Sequence, residues 1–333
     1  MLIYLCYSRG KKEMGEKKRV CVTGAGGYVA SWVVKLLLSK GFIVHGTVRY
    51  PYDERNSHLK KLEKASENLK LFKADLMDFQ GLFAATDGCT GVFHIASPVP
   101  SAKVSNPQLE VVEPAVIGTR NIIKACEMAK VKKLVVVSSL AAVVLNPKWP
   151  KDRPKDEECW SDPEFCKTIE YPYFLSKTLA ESEALEYAKT SEFNIVTVCP
   201  SLVLGPMLQS TLNATSAFLL SYLKDGHELV ENKDRPVIDA RDLAEAILLV
   251  YEKPEAHGRY ICSSYTISTQ ELVEKLKSMY PNYSYPKSYI EVEEHLKLSS
   301  QKLQSLGWKY RPLEETLVDA VKSFEEKGFL PKH

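Results

Sequence analysis

Short runs of β-branched and aliphatic residues alternate with stretches of helical periodicity through the first 200 positions. The strand runs fall at 19–23, 43–48, 69–73, 91–95, 133–137 and 194–199. They are apolar on both faces, as expected of strands covered on both sides rather than half exposed to water. Between them the spacing predicts helices over 28–40, 57–64, 79–86, 107–130 and 173–189. This alternation predicts an α/β fold, a Rossmann-type doubly wound parallel sheet with helices on each face. After Cys199 the rhythm changes to loops, longer helices at 240–252, 269–279 and 314–327, and a connector rich in proline and tyrosine at 280–289. The chain therefore divides into a disordered extension at 1–17, a sheet domain at 18–200 and a smaller C-terminal lobe at 201–330. Some segments of that lobe are expected to return to the sheet. Ligands of such sheets bind in the crevice at the carboxyl edge.

The 333 residues are 45% hydrophobic and 26% charged, which excludes a disordered or fibrous chain. Lysine and arginine number 44 against 42 acidic residues, a net charge of +2, so there is no basic field to hold a nucleic acid. The apolar stretches 134–137 and 141–145 are far shorter than the roughly 18 residues of a membrane span. Eight scattered cysteines without a C-x-x-C pair fit a reducing compartment, and the cytoplasm is the expected location. The apolar start 1–7 has its positive charges behind it, the wrong order for a signal peptide, and Met14 offers a second start that makes the first 13 residues dispensable. The seven histidines are dispersed and predict no metal site.

Chemistry enters with Thr23-Gly24-Ala25-Gly26-Gly27-Tyr28-Val29-Ala30, which runs from the first strand straight into the first helix. Gly24 permits a tight turn, Gly27 leaves no Cβ between backbone and a pyrophosphate, and Ala30 lets helix and strand pack closely. Free N–H groups at the helix start then face the phosphates. A glycine-rich turn by itself is only a connector. Placed in a βαβ pattern, it predicts dinucleotide contacts from Thr23, Gly24, Gly26, Gly27, Tyr28 and Val29. The second strand ends in Arg49, where NAD binders carry an acid for the ribose diol. A guanidinium suits a 2′-phosphate, with Arg55 near enough in sequence to join it, so NADP(H) is the expected cofactor. Asp53 and Glu54 offset part of that charge. Asp75 and Leu76 suit the adenine, and Ile95, Ala96 and Ser97 let the dinucleotide cross the sheet edge.

A carbonyl that accepts hydride must also gain a proton. A tyrosine, with a pKa of about 10, serves only if its phenolate is stabilised, and a lysine one helical turn away supplies the charge. Three Tyr-x-x-x-Lys pairs occur: Tyr7/Lys11, Tyr173/Lys177 and Tyr283/Lys287. Tyr7 precedes the first strand, and Pro286 opposes a helix through the third pair. Only Tyr173 heads a helix between the fifth and sixth strands. Ser138 and Ser139 end the fifth strand at the same edge, within reach of the oxygen that Tyr173 protonates. His94 reads as a structural or cofactor-wall residue, and Asp239, Arg241 and Asp242 as a capped, ion-paired turn.

Several segments carry a resemblance. They are Val22 to Trp32, Gly46-Thr47-Val48-Arg49, Lys73-Ala74-Asp75-Leu76, Val92 to Pro98, Tyr173 to Glu181, Leu202 to Pro206, Arg241-Asp242-Leu243-Ala244 and Gly258-Arg259-Tyr260. Over 18–330 the chain resembles the extended short-chain dehydrogenase/reductases, within them the plant cinnamoyl-CoA reductase and dihydroflavonol reductase group. The resemblance implies NADPH, a Ser-Tyr-Lys mechanism with Ser139, Tyr173 and Lys177, and cofactor contacts at Pro200, Ser201, Leu202, Val203 and Thr215. Cinnamoyl-CoA reductases proper read Asn-Trp-Tyr-Cys-Tyr-Gly-Lys where this chain reads Tyr171-Pro172-Tyr173-Phe174-Leu175-Ser176-Lys177. Dihydroflavonol reductases carry an asparagine where Val144 stands. These departures point to a cinnamoyl-CoA reductase-like enzyme acting on an aromatic aldehyde or ketone, or on another specialised-metabolite carbonyl.

The expected pocket is lined by Pro98, Val99, Val144, Met207, Leu208, Leu212, Phe218 and Tyr222, although core packing accounts equally well for Leu212 and Phe218. Reduction of a hydroxycinnamoyl-CoA thioester is the rival, with Lys148, Lys151, Arg153 and Lys155 as a cluster for the CoA phosphates. A non-catalytic NADPH-binding protein is the third reading. The expected partner is a small-molecule carbonyl substrate, with no nucleic acid and no membrane, and the protein is a monomer or a dimer.

Overall fold

The computed structural model describes residues 18–98, 105–292 and 296–332. Its strands are β1 (Arg19–Val22), β2 (Ile43–Val48), β3 (Leu69–Lys73), β4 (Gly91–His94), β5 (Lys133–Val137) and β6 (Asn194–Pro200). There follow β7 (Leu202–Leu204), β8 (Leu229–Asn232), β9 (Asp234–Asp239), β10 (Gly258–Cys262), β11 (Tyr265–Ser268) and β12 (Ser288–Glu291). Seven of them form one sheet in the order β10-β6-β5-β4-β1-β2-β3, every pair parallel. The strand order reverses between β1 and β4, and that switch point opens the crevice at the carboxyl edge.

Alternation along each strand sends side chains to two separate cores. Val20, Val22, Val135 and Val137 pack on one face with Val33, Val34, Leu37 and Ile247 from helices Tyr28–Ser39 and Ala240–Glu252. Cys21, Val92, Leu134 and Val136 pack on the other with Leu82, Ile122 and Cys126 from helices Phe79–Thr86 and Glu113–Met128. β2, β3 and β5 keep their expected limits. The helix expected over 57–64 does not form as one piece. Lys64 adopts a left-handed backbone, φ 63°, and splits the segment into the short turns Ser57–Lys60 and Ala65–Asn68. The long helix expected from 107 begins with a π turn, Gln108–Val112, before turning α-helical over Glu113–Met128.

Beyond Pro200 the chain leaves the sheet. β7 joins β9 and β11 in a three-stranded sheet, β8 pairs with β12, and β10 returns to lie beside β6. Two side chains of the first helix tie the departing turn down. The Tyr28 hydroxyl donates to Gly205 O at 3.0 Å, and Trp32 Nε1 donates to Pro206 O at 2.9 Å.

Gly91 at the start of β4 shows how tightly the sheet meets its helices. A Cβ there would lie 2.2 Å from the Tyr251 ring, itself held against Phe93 at 4.9 Å and Phe42 at 6.4 Å. Gly91→Ala is expected to destabilise the fold by about 1–3 kcal/mol, seen as a lower denaturant midpoint at unchanged slope. A midpoint equal to wild type would contradict this packing.

Candidate active site

The loop after β1 has the shape that its glycines allow. Gly24 sits at φ +64°, and a Cβ on it would press against Ala96 Cβ at 3.0 Å. Gly27 is exposed, and a Cβ on it would meet only Gly24 O, so its outer side is open for a phosphate to approach the backbone. The helix begins at Tyr28 without a side-chain cap, which leaves its first N–H groups unpaired. The Tyr28 side chain is committed to Gly205, so its part in holding a ligand falls to its backbone, next to half-buried Val29. Sequence reasoning missed Asn56. A methyl on Gly26 would overlap its Oδ1 at 2.2 Å, while its Nδ2 donates to Tyr50 O, so Asn56 packs the loop after β2 over the phosphate loop. No pattern along the chain marks that contact.

The two arginines of that loop differ. Arg55 donates to Asp53 from its backbone N and from Nε and Nη2, with the backbone bond at 2.8 Å. The Arg55 hydrogen bonds pull the pKa of the half-buried Asp53 carboxyl down to about 2. The Arg55 charge therefore already has a carboxylate partner two residues away. Arg49 is exposed at the end of β2 with no ion pair or hydrogen bond among the described residues. Asp75 also turns inward on its own chain, accepting Met77 N at 2.8 Å, and Leu76 packs against Gly118.

At the switch point one hydroxyl joins the strand ends. Thr23 Oγ1 accepts the N–H groups of Ile95 and Ala96, both at 3.0 Å, which uses its lone pairs. Its proton must then go to His94 Nδ1, 3.0 Å away, which leaves neutral His94 carrying hydrogen on Nε2. Burial, with the Lys177 charge as a second cause, pushes the His94 pKa down to about 3. His94, Ala96, Ser97, Ser138, Lys177 and Glu181 line one small cavity below the crevice.

The helix Pro172–Ala188 opens with proline in its first turn, where no N–H is needed, after Glu170 turns the chain at φ 53°. Tyr173 and Lys177 thus lie one turn apart on one helix face. Tyr173 is partly exposed and Lys177 is buried, its Nζ donating to Val137 O at 3.3 Å. That carbonyl closes β5, two residues before Ser139. The structure separates the two serines. Ser138 is buried and donates to Glu181 Oε2 at 2.7 Å, whereas Ser139 is half-buried and accepts only Ala141 N, at 3.1 Å. Tyr283 is not in a helix and donates to Glu325 and Pro331 O, while Tyr7 lies outside the described residues.

Of the expected pocket, Val99 lies outside the described residues. Met207 and Tyr222 are shut into the main core at 4% and 5% exposure, which corrects their expected place on an open wall. Pro98, Val144, Leu208, Leu212 and Phe218 remain partly exposed, with the Arg235 guanidinium 5.0 Å from the Phe218 ring. In the basic loop one of the four cations already has carboxylate partners close by. Arg153 lies on the Trp149 ring and pairs with Asp156 at 2.7 Å and Glu158 at 2.6 Å.

A family model described as the NAD dependent epimerase/dehydratase family matches residues 20–263. The chain belongs to that family. It is 45% identical over 316 residues to cinnamoyl-CoA reductase 1 of Petunia hybrida, covering 94% of this chain and 93% of that one. Vestitone reductase from alfalfa superposes with a TM-score of 0.80 at 31% identity, over 94% of this chain and 100% of that one. Gre2 from Candida albicans in complex with NADPH superposes with a TM-score of 0.78 at 26% identity, over 93% and 99%. The protein is an NADP(H)-dependent oxidoreductase, a cinnamoyl-CoA reductase-like reductase of specialised-metabolite carbonyls.

The reductase's residues fit that cofactor. The open side of Gly27 and the uncapped helix start suit a pyrophosphate, and unpaired Arg49 suits a 2′-phosphate. Ser201, between Pro200 at the end of β6 and Leu202-Val203 at the start of β7, has a buried hydroxyl without a partner among the described residues, as expected where a ligand completes the hydrogen bonding. Thr215, half-buried in the first turn of helix Ala214–Lys224, has its hydroxyl hydrogen-bonded to Asn213 Nδ2 at 2.8 Å. No helix among the described residues is long and apolar enough to cross a membrane.

His94 makes stability fall toward acid. Its folded pKa lies below the ordinary 6.5. Its contribution is complete above about pH 6.5, and each unit below removes up to about 1.4 kcal/mol as the unfolded chain alone takes the proton. Thermal melts taken from about pH 7 to about pH 5 should fall more steeply for wild type than for His94→Asn. Parallel curves would contradict the neutral buried imidazole.

Proposed function

We propose that the reductase acts on an aromatic or specialised-metabolite aldehyde or ketone, with Tyr173 as the proton donor, Lys177 beside it and Ser139 on the substrate oxygen. One observation carries the assignment: Tyr173 and Lys177 share a helix face beside the carboxyl end of β5, where Lys177 Nζ is anchored to Val137 O and only Ser139 of the serine pair is uncommitted to another side chain. NADPH, when bound, supplies the hydride. Ser139 donates a hydrogen bond to the carbonyl oxygen and fixes its direction. Tyr173 gives that oxygen its proton as negative charge develops there. The Lys177 ammonium stabilises the phenolate that remains. Thr23, Gly24, Gly26, Gly27 and the backbone of Tyr28 and Val29 hold the pyrophosphate, Arg49 the 2′-phosphate, and Asp75, Leu76, Ile95, Ala96, Ser97, Pro200 to Val203 and Thr215 the rest of the dinucleotide.

A free carbonyl is favoured over a thioester by two features of this chain. Arg153 is neutralised twice within its own loop, which leaves less charge for CoA phosphates. Where cinnamoyl-CoA reductases proper read Asn-Trp-Tyr-Cys-Tyr-Gly-Lys, this chain reads Tyr171-Pro172-Tyr173-Phe174-Leu175-Ser176-Lys177. The 45% identity to a cinnamoyl-CoA reductase keeps the thioester as the second reading. A reducing compartment, the cytoplasm, suits the seven described cysteines, all buried and unpaired.

Tyr173→Phe is expected to lower kcat by about 10²–10⁴-fold with NADPH affinity retained, and wild-type turnover would remove the assignment. Arg49→Ala should weaken NADPH binding by roughly 10–100-fold and leave NADH binding nearly unchanged, as read by fluorescence titration. Equal losses for both dinucleotides would deny Arg49 the 2′-phosphate. NADPH consumption with coniferaldehyde should exceed that with feruloyl-CoA, and the reverse order would select the thioester.

A further inference from the structure

Glu181 lies one turn beyond Lys177 on the helix face that carries Tyr173, but it faces a cation other than that lysine. Both its oxygens are spent. Oε2 accepts the Ser138 hydroxyl at 2.7 Å, and Oε1 accepts Thr197 Oγ1 at 2.6 Å, Cys199 Sγ at 3.2 Å and Arg259 Nε at 2.8 Å. Arg259 comes from β10, the strand that returns to the sheet from the C-terminal part. All five of its N–H donors are used. Besides Nε, Nη2 donates to Glu181 Oε2 at 3.2 Å and Ala142 O at 3.1 Å, and Nη1 to Cys159 O at 2.8 Å and Glu157 O at 3.2 Å. The Trp160 ring covers the guanidinium at 3.6 Å. The two side chains are 0% and 5% exposed.

Burying such a pair is not needed for stability, because an apolar pair of the same volume often serves as well or better. Its geometry offers another use. The turn that presents Ser139 is hung from the ion pair at both ends: Ser138 from Glu181 ahead of it, Ala142 O from Arg259 behind it. Within the turn, Ser139 Oγ accepts Ala141 N and Ser139 O accepts Ala142 N at 3.0 Å. Glu181 stands on the same rigid helix as Tyr173 and Lys177.

We propose that the buried Arg259–Glu181 pair is a positioning device for Ser139, clamping the Ser138–Ala142 turn to the helix of Tyr173 and Lys177 and so setting the separation of the hydroxyl and phenol that share the substrate oxygen. The proposal rests on the assignment of Ser139 and Tyr173 above. A displacement of about 1 Å between such groups is enough to cost about 100-fold in rate.

Arg259→Lys keeps the charge and loses the fork that reaches Ala142, Cys159 and Glu157 together. It is expected to lower kcat at least about tenfold while NADPH affinity, by fluorescence titration, stays within about twofold. In a Ser139→Ala background the same substitution should cost less than about threefold, because the group it positions is gone. Should Arg259→Lys fail to fold, the double variant Glu181→Leu/Arg259→Met, which leaves no buried charge unpaired, should melt cooperatively, bind NADPH and show the same coupled loss. An equal factor in both backgrounds, or an unchanged kcat in either variant, overturns the proposal. Wild-type turnover in Ser139→Ala alone overturns the active-site assignment beneath it, a result distinct from additivity.

Discussion

A parallel sheet whose strand order reverses must part its connections at the reversal, and here the Thr23 hydroxyl holds the parted ends in shape. With two accepted N–H groups and one donated proton it joins the end of β1 to the backbone after β4 and fixes the tautomer of His94. Gly24, turned left-handed, presses on Ala96 in the same place. The phosphate loop and the floor of the crevice are therefore one hydrogen-bonded unit rather than two loops that happen to meet. The first helix extends that unit to the second sheet through Tyr28 and Trp32.

Charge in the crevice is arranged by exclusion. The histidine nearest Lys177 is held neutral by burial, so it does not compete with the ammonium for a negative partner. The acid nearest Lys177 in sequence, Glu181, is saturated by Ser138, Thr197 and Arg259. Among these groups the lysine keeps a carbonyl oxygen as its hydrogen-bond partner. An ammonium so placed is free to stabilise a phenolate.

The same arithmetic acts at the rim with the opposite result. Arg55 and Arg153 sit in exposed loops, and each finds a carboxylate within a few residues. Exposed pairs of this kind are worth little to stability, about 0–1 kcal/mol, but they decide which cations remain for a ligand. Arg49 remains because it directly follows β2 and no acid of its loop reaches back. A count of basic residues along the chain cannot distinguish these cases.

The parallel sheet, the glycine turn into the first helix and the helical spacing of Tyr173 and Lys177 were legible in the chain, since each depends on contacts within one strand or one helical turn. Alternation set β2, β3 and β5 to the residue, and the glycine spacing marked the loop. What stood outside that reach was decided by pairs distant in sequence. β10 finds its place beside β6, some sixty residues earlier, and no local pattern of Gly258–Cys262 says so. Lys64 turned left-handed inside a helical pattern, and Met207 and Tyr222 vanished into the main core, which sheet and C-terminal segments build together. Ser138 and Ser139 are the same residue type in adjacent positions. Only the carboxylate delivered by one helix, and the guanidinium delivered by the last strand of the sheet, made one of them a bolt and left the other half-buried, its side chain bonded only to a neighbouring backbone N–H.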